Sequence, residues 1–352
     1  MATLQDIADR LGISRATVSR ALNDFPEVGA KTKAKVRSVA QELGYTPNLT
    51  ARKLISGKSG MIALVAQGED WNTVFDLSPG SFLGTLNQAF DDHDLDLVMR
   101  LATDRDKTNL YARLAQRSFV DCIVINSPMV EDERISALLK TGAKFVVHGR
   151  DAQHEKYAYY DIDNYGAFKQ ATSYLLDLGH KNIAVFVHNE DHAYARRRLE
   201  GIRDAVSSRS AESSIAVYKD DASTHFSYTI AKEALSAKTP ASAVICVDGV
   251  SQALGVYRAA RERGLEIGRD VSVIAHDDVL KRWDATKFAP SLTVVRRPVV
   301  DACAYLVRAV EGIIEGKPVE ELQFIDTAEF IVRGSTGVYV DSGVQSTAIN
   351  PA

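Results

Sequence analysis

Apolar residues recur at helical spacing in three short stretches of the first 45 residues. Spacings of three and four positions put such residues on one face of an α-helix, so each stretch predicts a helix with one buried side. The first predicted helix ends at Gly12, the second begins after Ser14, and the third runs from about Lys31 to Leu43. Three such helices can close a small core, and the short turn between the first two makes a helix-turn-helix. The predicted core positions are Leu4, Ile7, Ala8, Leu11, Val18, Ala21, Leu22, Val36, Val39, Ala40 and Leu43.

Polar residues and glycines mark the ends of these predicted helices. Thr3 and Asp6 have the spacing of a capping box, in which each side chain accepts a hydrogen bond from the backbone of the other residue. Ser14 can cap the second helix with its hydroxyl. Gly12 and Gly44 follow the first and third helices, where a residue without Cβ turns the chain at no steric cost. These signals set the helix boundaries independently of the apolar pattern.

From residue 61 to about residue 340, short apolar runs typical of buried strands alternate with amphipathic helical stretches. These alternating runs and stretches lie at residues 62–66, 82–90, 95–99, 122–125, 145–147, 174–178, 183–187, 243–247, 254–260, 271–274 and 302–314. This alternation predicts βαβ units and parallel sheets. About 280 residues exceed one doubly wound sheet, so two lobes are expected. The predicted fold class is an all-α helix-turn-helix head followed by an α/β body of two lobes.

The formal net charge of −4 over 352 residues hides an uneven distribution. Residues 1–60 contain ten Lys and Arg against five Asp and Glu, a balance of +5, and the rest of the chain has a balance of −9. A basic small unit attached to an acidic large one indicates that the head binds a polyanion. The acidic body is not expected to bind DNA itself.

Several classes of protein are excluded by the sequence. No apolar run approaches the roughly 18 residues that a membrane helix needs, and the N-terminus lacks the layout of a signal peptide, so we expect a cytoplasmic protein. Cys122, Cys246 and Cys303 show no Cys-x-x-Cys spacing, so neither a disulfide framework nor a zinc site is indicated. Phosphate-loop, dinucleotide, zinc-protease and nucleophile-elbow motifs are missing. We therefore expect no catalytic residues, no metal and no cofactor.

Three ordered motifs in the head carry a family resemblance. They are LGISRATVSRALN at residues 11–23, LGYTPN at 43–48 and ARKL at 51–54, and with them the chain closely resembles the lac and galactose repressor family of bacterial transcription regulators. The resemblance implies that Arg15, Ala16 and Arg20 read base edges in the major groove of DNA. An Arg at the start of a recognition helix can make a bidentate contact to guanine, which agrees with that role. The phosphate contacts implied by the resemblance come from Ser14, Thr17, Ser19 and Asn23.

The segment after the third helix predicts a short hinge helix. Pro47 stops the third helix, Asn48 can cap a new one, and residues 49–55 span only two turns. A helix that short is marginal alone in water, so it should fold only with DNA and a partner chain. The resemblance implies that two such helices pair in the minor groove through Asn48, Ala51 and Leu54. Leu54 would wedge into a central base step and kink the duplex.

Further motifs extend the resemblance through the body, which is similar to periplasmic sugar-binding proteins. The matching stretches are residues 161–166, 178–180, 198–201, 277–278, 290–293 and 330–336. The resemblance implies that the chain crosses between the lobes near Asp161, Pro290 and Phe324. Ligands of parallel sheets bind beyond the carboxyl ends of the strands, which puts a small-molecule effector in the cleft between the lobes.

Five residues of the body are candidates for binding that effector. The resemblance assigns Arg198 and Asp277 to effector oxygens, and a guanidinium opposite a carboxylate suits a polyol. A surface ion pair for Arg198 and a turn role for Asp277 are the alternatives. Asp248 is a weaker candidate, because its surroundings depart by one residue from the family's spacing. Trp71 and Trp283 follow strands, where an aromatic face can stack on a sugar ring or pack under a loop.

Together these patterns predict how the chain is organised and what it does. The expected domains are a helix-turn-helix domain (1–46), a hinge helix and linker (47–60), a two-lobed effector-binding and dimerisation domain (61–340) and a mobile tail (341–352). The expected lobes are residues 61–160 with 293–324, and 161–290 with 325–340. The predicted function is a homodimeric repressor that binds a pseudo-palindromic double-stranded operator under the control of a sugar or sugar derivative. A non-sugar corepressor, an activator, and a sugar-metabolising enzyme with a helix-turn-helix head are the alternatives.

Overall fold

A computed structural model describes most of the chain, and its described residues are 2–45, 58–66, 81–102, 107–116, 120–154, 156–209, 212–219, 224–280 and 282–340. The chain divides into two compact units, Met1–Gly60 and Met61–Ala352, which we call the head and the body. The predicted hinge residues Asn48, Ala51 and Leu54, the loop residue Trp71, and the predicted tail lie outside the described residues.

The head contains three helices, α1 (Leu4–Leu11), α2 (Arg15–Leu22) and α3 (Ala30–Glu42). The third helix begins and ends one residue earlier than the apolar pattern predicts. Buried side chains from all three helices meet in one small core. Every one of these buried positions is among those predicted, which confirms the helix-turn-helix head. They are Ile7, Ala8, Val18, Ala21, Val36 and Ala40.

The helix ends of the head have the predicted caps. The Asp6 amide donates to Thr3 Oγ1 (3.3 Å), and the Thr3 amide donates to Asp6 Oδ2 (2.7 Å), which completes the capping box. The hydroxyl of Ser14 accepts from the Thr17 amide at 3.0 Å. Gly12 ends α1 with φ of +64°, a conformation that a side chain would strain. The local capping chemistry of the sequence therefore sets the boundaries of α1 and α2.

The first sheet of the body is entirely parallel. Its strands are β1 (Met61–Ala66), β2 (Asp96–Leu101), β3 (Cys122–Asn126), β4 (Phe145–His148), β5 (Ala158–Ile162) and β11 (Gln323–Asp326), in the order β11-β5-β4-β3-β1-β2. Helices cover both faces, as a parallel sheet requires. One face packs against α4 (Phe82–Asp91) and α11 (Ala302–Glu315), and the other packs against α5 (Lys107–Gln116) and α6 (Glu133–Thr141).

The second sheet repeats this arrangement with one difference. Its strands are β6 (Asn182–Val187), β7 (Ser214–Lys219), β8 (Ala243–Cys246), β9 (Ser272–Asp277), β10 (Thr293–Arg296) and β12 (Glu329–Ile331), in the order β12-β10-β9-β8-β6-β7. Only the edge strand β12 is antiparallel, against β10. One face packs against α7 (Asn164–Asp177) and α8 (Ala193–Ser207), and the other packs against α9 (Thr224–Ser236) and α10 (Val250–Glu262). The two sheets confirm the predicted α/β body.

The chain crosses between the two lobes three times, and one crossing differs from the prediction. The first follows Ile162 and the third lies between β11 and β12, both close to the expected positions. The second was expected near Pro290, but β10 comes after Pro290 and pairs with β9 and β12 in the second sheet. The crossing therefore lies after Arg296, because the hydrogen bonds of β10 hold residues 293–296 in the second lobe. The expected assignment of these residues to the first lobe is wrong.

Candidate functional site

The exposed face of α2 is the first candidate site. Arg15, Ala16 and Arg20 are exposed, whereas Val18 and Ala21 are buried in the core of the head. The three residues predicted to read bases therefore share the side of the helix that does not pack inside the head. Arg15 and Ala16 stand in the first turn of α2, just after its cap.

The four predicted phosphate-binding residues already serve the ends of α2 or lie near them. Ser14 caps the helix and its hydroxyl lies 2.8 Å from the hydroxyl of Thr17. The Asn23 side chain donates to the Ser19 carbonyl at 2.8 Å. Each group keeps further hydrogen-bonding capacity, since a hydroxyl both donates and accepts and an amide nitrogen carries two hydrogens. These contacts hold the side chains of Ser14, Thr17 and Asn23 at the two ends of α2.

Arg20 has a weak partner on the surface of the head. Its Nε lies 3.8 Å from Glu27 Oε1, and both side chains are more than half exposed, at 57% and 52%. An exposed ion pair at this distance is worth only about 0–1 kcal/mol. The guanidinium of Arg20 can therefore leave Glu27 for another anion at little cost.

The second candidate site is a cluster around Arg198, which α8 carries into the second lobe. Arg198 is 4% exposed. Its Nε donates to Asn164 Oδ1 at 2.7 Å, its Nη1 donates to the Val247 carbonyl at 2.6 Å, and its Nη2 lies 3.1 Å from His276 Nε2. Burial lowers the pKa of the guanidinium, and the fields of Asp278, Tyr194, Asp248 and Asp161 act in the opposite sense. A buried cation is thus held by neutral acceptors and surrounded by carboxylates.

The predicted effector residue Asp277 and its neighbour Asp278 face different partners at the end of β9. Asp277 is buried, and its Oδ1 accepts from the Val279 amide at 2.8 Å. Asp278 Oδ1 lies 2.8 Å from His276 Nε2. Although burial opposes ionisation of Asp278, the fields of His276, Arg198 and His148 hold its pKa below the usual value. Of these two neighbouring carboxylates, that of Asp278 interacts with the charge of Arg198.

Asp248, the weaker candidate, follows β8 and is tied to two neighbouring segments. Its Oδ2 accepts from the His188 amide at 2.6 Å, and its Oδ1 accepts from the Tyr194 hydroxyl at 3.2 Å. Tyr194 also lies under Arg198, with the guanidinium carbon 4.9 Å from the ring centre. Asp248 therefore links the carboxyl ends of β6 and β8 to the helix that carries Arg198.

Trp283 packs against the hydrophobic core of the second lobe and is partly buried there. Its ring also contacts the guanidinium of Arg282 at 5.1 Å. These contacts favour packing under the loop over stacking on a sugar ring, the other role predicted for Trp283.

The first lobe contributes an imidazole to the same region. His148, the last residue of β4, donates through Nδ1 to Asn126 Oδ1 at 2.7 Å and stacks on Phe82 with ring centres 5.0 Å apart. Burial lowers the pKa of His148 to about 4, against the field of Asp278 in the other lobe. The carboxyl ends of both sheets thus face the same cleft, with a neutral imidazole on one side and Arg198 with its carboxylates on the other.

A short backbone bridge connects the two lobes directly. Met129 and His192 form an isolated antiparallel bridge. The Val130 amide donates to the Asp191 carbonyl at 2.7 Å, and the Ala193 amide donates to the Pro128 carbonyl at 2.9 Å. Because Ala193 is the first residue of α8, the bridge fixes the helix that carries Arg198 to the loop after β3.

Several members of the Arg198 cluster were not singled out from the sequence. Asn164, His276, Asp278 and His148 lie at or next to strand ends, and His276 is 2% exposed and directly follows the buried apolar run 273–275 of its strand. A polar residue inside a buried strand is a usable sequence signal, because burying it without a partner is costly. The partners themselves come from segments far apart in the chain, which no local pattern reveals.

Two other classes of site were searched for within the described residues. No group of three or more His, Cys, Asp or Glu side chains there has the geometry to hold a metal ion. None of the described helices has the length and apolar character to cross a membrane.

Comparison with known families covers both the head and the body. The profile described as "Bacterial regulatory proteins, lacI family" matches residues 3–48, and the profile "Periplasmic binding protein-like domain" matches residues 172–336. The HTH-type transcriptional regulator AglR of Rhizobium meliloti is 36% identical over 339 residues, which cover 95% of this chain and 94% of that relative. The chain belongs to the lacI family of bacterial regulatory proteins. It is a DNA-binding transcriptional regulator and not an enzyme.

Further relatives of this lacI-family regulator match nearly the whole chain. The regulator RafR of Escherichia coli is 30% identical over 93% of this chain and 96% of its own. The solved structure of a CelR–cellobiose complex is 25% identical with a TM-score of 0.66, and covers 95% of this chain and 100% of its own. A lac repressor dimer bound to operator and an anti-inducer has a TM-score of 0.78 at 21% identity, over 96% of this chain and 99% of its own, which shows a shared fold.

Proposed function

We propose that this lacI-family regulator binds a pseudo-palindromic operator as a homodimer and that a sugar-type effector in the cleft of the body controls the binding. The observation that carries the proposal is the exposed face of α2, where Arg15, Ala16 and Arg20 stand clear of the core of the head. A regulator of chromosomal genes works where the DNA is, which for a bacterial protein is the cytoplasm.

In the proposed complex, Arg15, Ala16 and Arg20 each contact base edges. A guanidinium forms a bidentate contact with the O6 and N7 atoms of guanine, worth about 1–3 kcal/mol of discrimination. Arg15 is placed for this at the start of the helix, Arg20 is one and a half turns further on, and Ala16 offers a methyl group to thymine. Ser14, Thr17, Ser19 and Asn23 would fix the register through phosphates.

The dimer and the hinge follow from the symmetry of such an operator. Two heads related by a two-fold axis read two half-sites, so the site is palindromic. We assign Asn48, Ala51 and Leu54 to a hinge helix that enters the minor groove between the half-sites, with Leu54 as the wedge.

Control by a sugar is supported by the geometry of the cleft. Arg198 offers N–H donors and Asp278 offers carboxylate oxygens at the carboxyl ends of the strands, a combination that suits the hydroxyls of a polyol. The CelR relative was solved with cellobiose, a sugar of the class proposed here. Effector binding between the lobes would change their relative orientation and thereby the spacing of the heads.

Two variants separate the two parts of the proposal. Arg15→Ala should weaken binding to the regulator's own upstream operator by about 5- to 150-fold, while leaving non-specific DNA binding nearly unchanged. Arg198→Ala should keep operator binding and lose the response to effector. Fluorescence polarisation with labelled operator duplexes, with and without a sugar panel, measures both.

The same titration gives the direction of control. An inducer lowers the operator affinity of the wild-type protein and a corepressor raises it. If the wild-type protein binds specific and random duplexes equally, the operator proposal is wrong.

A further inference from the structure

Glu27 is an acidic side chain beside one of the residues predicted to read bases. Its Oε1 lies 3.8 Å from Arg20 Nε, and its side chain is 52% exposed. The other four acidic side chains of the head have different partners, namely Asp6 with Thr3, Asp9 with Gln5, Asp24 with Lys33 and Arg37, and Glu42 with Ser38. DNA phosphates repel a carboxylate at this position unless a hydrogen-bond donor of the DNA compensates for the repulsion.

The backbone around Glu27 is fixed to the end of α2 and to the core of the head. The Phe25 amide donates to the Arg20 carbonyl at 3.0 Å, and the Val28 amide donates to the Phe25 carbonyl at 3.2 Å. Val28, which follows Glu27 directly, packs against the core of the head. The carboxylate of Glu27 therefore stays near the Arg20 side chain even when the weak ion pair opens.

Together the two side chains place hydrogen-bond donors next to an acceptor. A guanidinium carries its N–H donors in a fixed fork, and an ionised carboxylate only accepts. Arg20 contacts Glu27 from Nε, so this contact does not occupy the donors of the two Nη groups. The order across the two side chains is therefore donor, donor, acceptor.

The major-groove edge of a guanine–cytosine base pair has the complementary order. Guanine presents the acceptors N7 and O6, and cytosine presents the N4 amino donor beside O6. A base-pairing hydrogen bond joins O6 to N4, so these atoms lie about 3 Å apart. That separation is close to the 3.8 Å between Arg20 Nε and Glu27 Oε1. An adenine–thymine base pair presents an acceptor, a donor and an acceptor, so it offers the fork no two adjacent acceptors.

We propose that Arg20 and Glu27 together read one guanine–cytosine base pair of each half-site, with Arg20 on the guanine and Glu27 on the cytosine amino group. The inference rests on the proposed function and adds a base-reading residue outside α2. The cytosine amino group has one hydrogen outside the base-pairing bond and donates it to the Glu27 carboxylate. This charge-assisted hydrogen bond compensates for the repulsion between the carboxylate and the phosphates.

The first measurement locates the base pair that Arg20 reads. Fluorescence polarisation follows binding of the full-length protein to labelled duplexes of its own upstream operator, in which each base pair of one half-site is replaced in turn. Arg20→Ala should lose the wild-type discrimination at one base pair, and that base pair should be guanine–cytosine in the operator. If Arg20→Ala loses discrimination at an adenine–thymine base pair, or at none, the inference is wrong.

A base analogue then tests the contact with Glu27. N4-methylcytosine in place of the cytosine of that base pair still pairs with guanine, but a methyl group replaces the amino hydrogen that faces the major groove. Wild type should bind the methylated duplex about tenfold more weakly than the unmodified operator, because a hydrogen bond to a charged acceptor is lost. Equal affinity of the wild type for the two duplexes overturns the inference.

Two variants of Glu27 separate hydrogen bonding from charge and size. Glu27→Gln removes the charge but keeps an accepting oxygen, so it should still prefer the unmodified operator by about threefold or more. Glu27→Met has a similar length and no such acceptor, so its affinities for the two duplexes should agree within about twofold. Both variants should bind random duplexes more tightly by a similar factor, because each loses the charge that phosphates repel. If methylation weakens binding of Glu27→Met as much as that of wild type, the methyl group only crowds the interface and the assignment is wrong.

Glu42→Gln is the matched control for removing a negative charge from the head. Glu42 is the exposed last residue of α3, and its carboxylate accepts from the Ser38 hydroxyl at 3.3 Å. This variant should keep the wild-type ratio between the affinities for the unmodified and methylated duplexes within about twofold. A ratio as low as that of Glu27→Met would reveal a general effect of charge and would contradict the role of Glu27.

Operator binding distinguishes failure of this inference from failure of the proposed function. A protein that prefers its operator over random duplexes but is insensitive to N4 methylation keeps the proposed function and rejects base reading by Glu27. A protein that binds operator and random duplexes equally rejects the proposed operator function, and with it the base pair assigned to Arg20 and Glu27.

Discussion

The charge of a buried side chain in the cleft depends on its hydrogen-bond partners. Arg198 is buried and its Nε and Nη1 donate to the neutral oxygens of Asn164 and Val247. Charge-assisted hydrogen bonds of this kind compensate for lost hydration without cancelling the charge through a direct ion pair. The field of the guanidinium therefore remains effective in the cleft, where it lowers the pKa of Asp278.

Asp161 carries the residue-scale prediction, because burial raises its pKa to about 6 although Arg150 opposes the shift. A carboxyl group whose pKa is higher in the folded state than its ordinary 3.8 holds its proton longer in that state. Its contribution to the free energy of unfolding is therefore lost as the pH rises from about 4 to about 6. Relative to wild type, Asp161→Asn should gain about 2 kcal/mol of stability between pH 4 and pH 7.

Denaturant unfolding of wild type and Asp161→Asn at both pH values measures this difference. The variant lacks the ion pair between Arg150 and Asp161 at both pH values. Only the change in the stability difference between the two pH values therefore reports the titration of Asp161. A stability difference that does not vary with pH contradicts the prediction.

Pairs of helices in the second lobe are packed so closely that glycine is required where they cross. A Cβ on Gly201 of α8 would lie 2.2 Å from the Tyr165 carbonyl oxygen in α7. A Cβ on Gly255 of α10 would lie 2.3 Å from the Tyr228 amide nitrogen in α9. Both contacts are with backbone atoms, which cannot move aside without separating the helices.

Gly255→Ala is the prediction at the scale of elements. Separating α9 from α10 should cost about 1–3 kcal/mol of unfolding free energy, despite the higher helix propensity of alanine. Gly312→Ala is the matched control, because a Cβ there would meet a Leu322 methyl group at 2.6 Å, and a side-chain end can rotate away. Denaturant unfolding should show the larger loss for Gly255→Ala, and equal losses would argue against the backbone clash.

At the scale of the whole molecule, a few connections join the two lobes within the described residues. Three chain crossings join the lobes, and the bridge at Met129 and His192 adds two backbone hydrogen bonds. Arg134 stabilises the loop on one side of the bridge, since it pairs with Asp132 at 2.6 Å and donates to the Ser127 carbonyl at 3.1 Å. The bridge therefore connects a rigid loop of the first lobe to the helix that carries Arg198.

Ala193→Pro removes one hydrogen bond of this bridge without breaking α8. Proline is favoured at the first position of a helix, and His192 before it has φ of −68° and ψ of 131°, which a residue preceding proline prefers. The lost hydrogen bond is worth about 0.5–1.5 kcal/mol. Its loss should shift the equilibrium between bridged and separated lobes about two- to tenfold toward the separated state. Small-angle scattering of the effector-free protein should then give a larger radius of gyration.

Ala193→Val is the control for the bridge, because it adds similar bulk to this buried position and keeps the amide donor. If both variants expand the protein equally, crowding explains the change and the hydrogen bond does not. An unchanged radius in Ala193→Pro would show that the hydrogen bond from the Ala193 amide does not hold the lobes together.

The head was more predictable than the cleft for a physical reason. Capping at Thr3 and Ser14 and the apolar stripes of α1 to α3 act within a few residues, so the sequence shows them directly. The second crossing was misplaced because Pro290 precedes a strand whose lobe depends on its partners β9 and β12. Sheet membership is a long-range property that the local pattern around residues 290–296 does not contain.

The sequence by itself determined the helix-turn-helix, the α/β alternation, the uneven charge and the family, because these depend on local spacing and contiguous motifs. Only the tertiary structure decided which carboxylate faces Arg198. Asp277 and Asp278 are adjacent in sequence, but the turn after β9 directs one to the Val279 amide and the other to His276. Their environments differ because the surrounding groups, such as Asn164 and His148, come together only when the strand ends of both lobes meet.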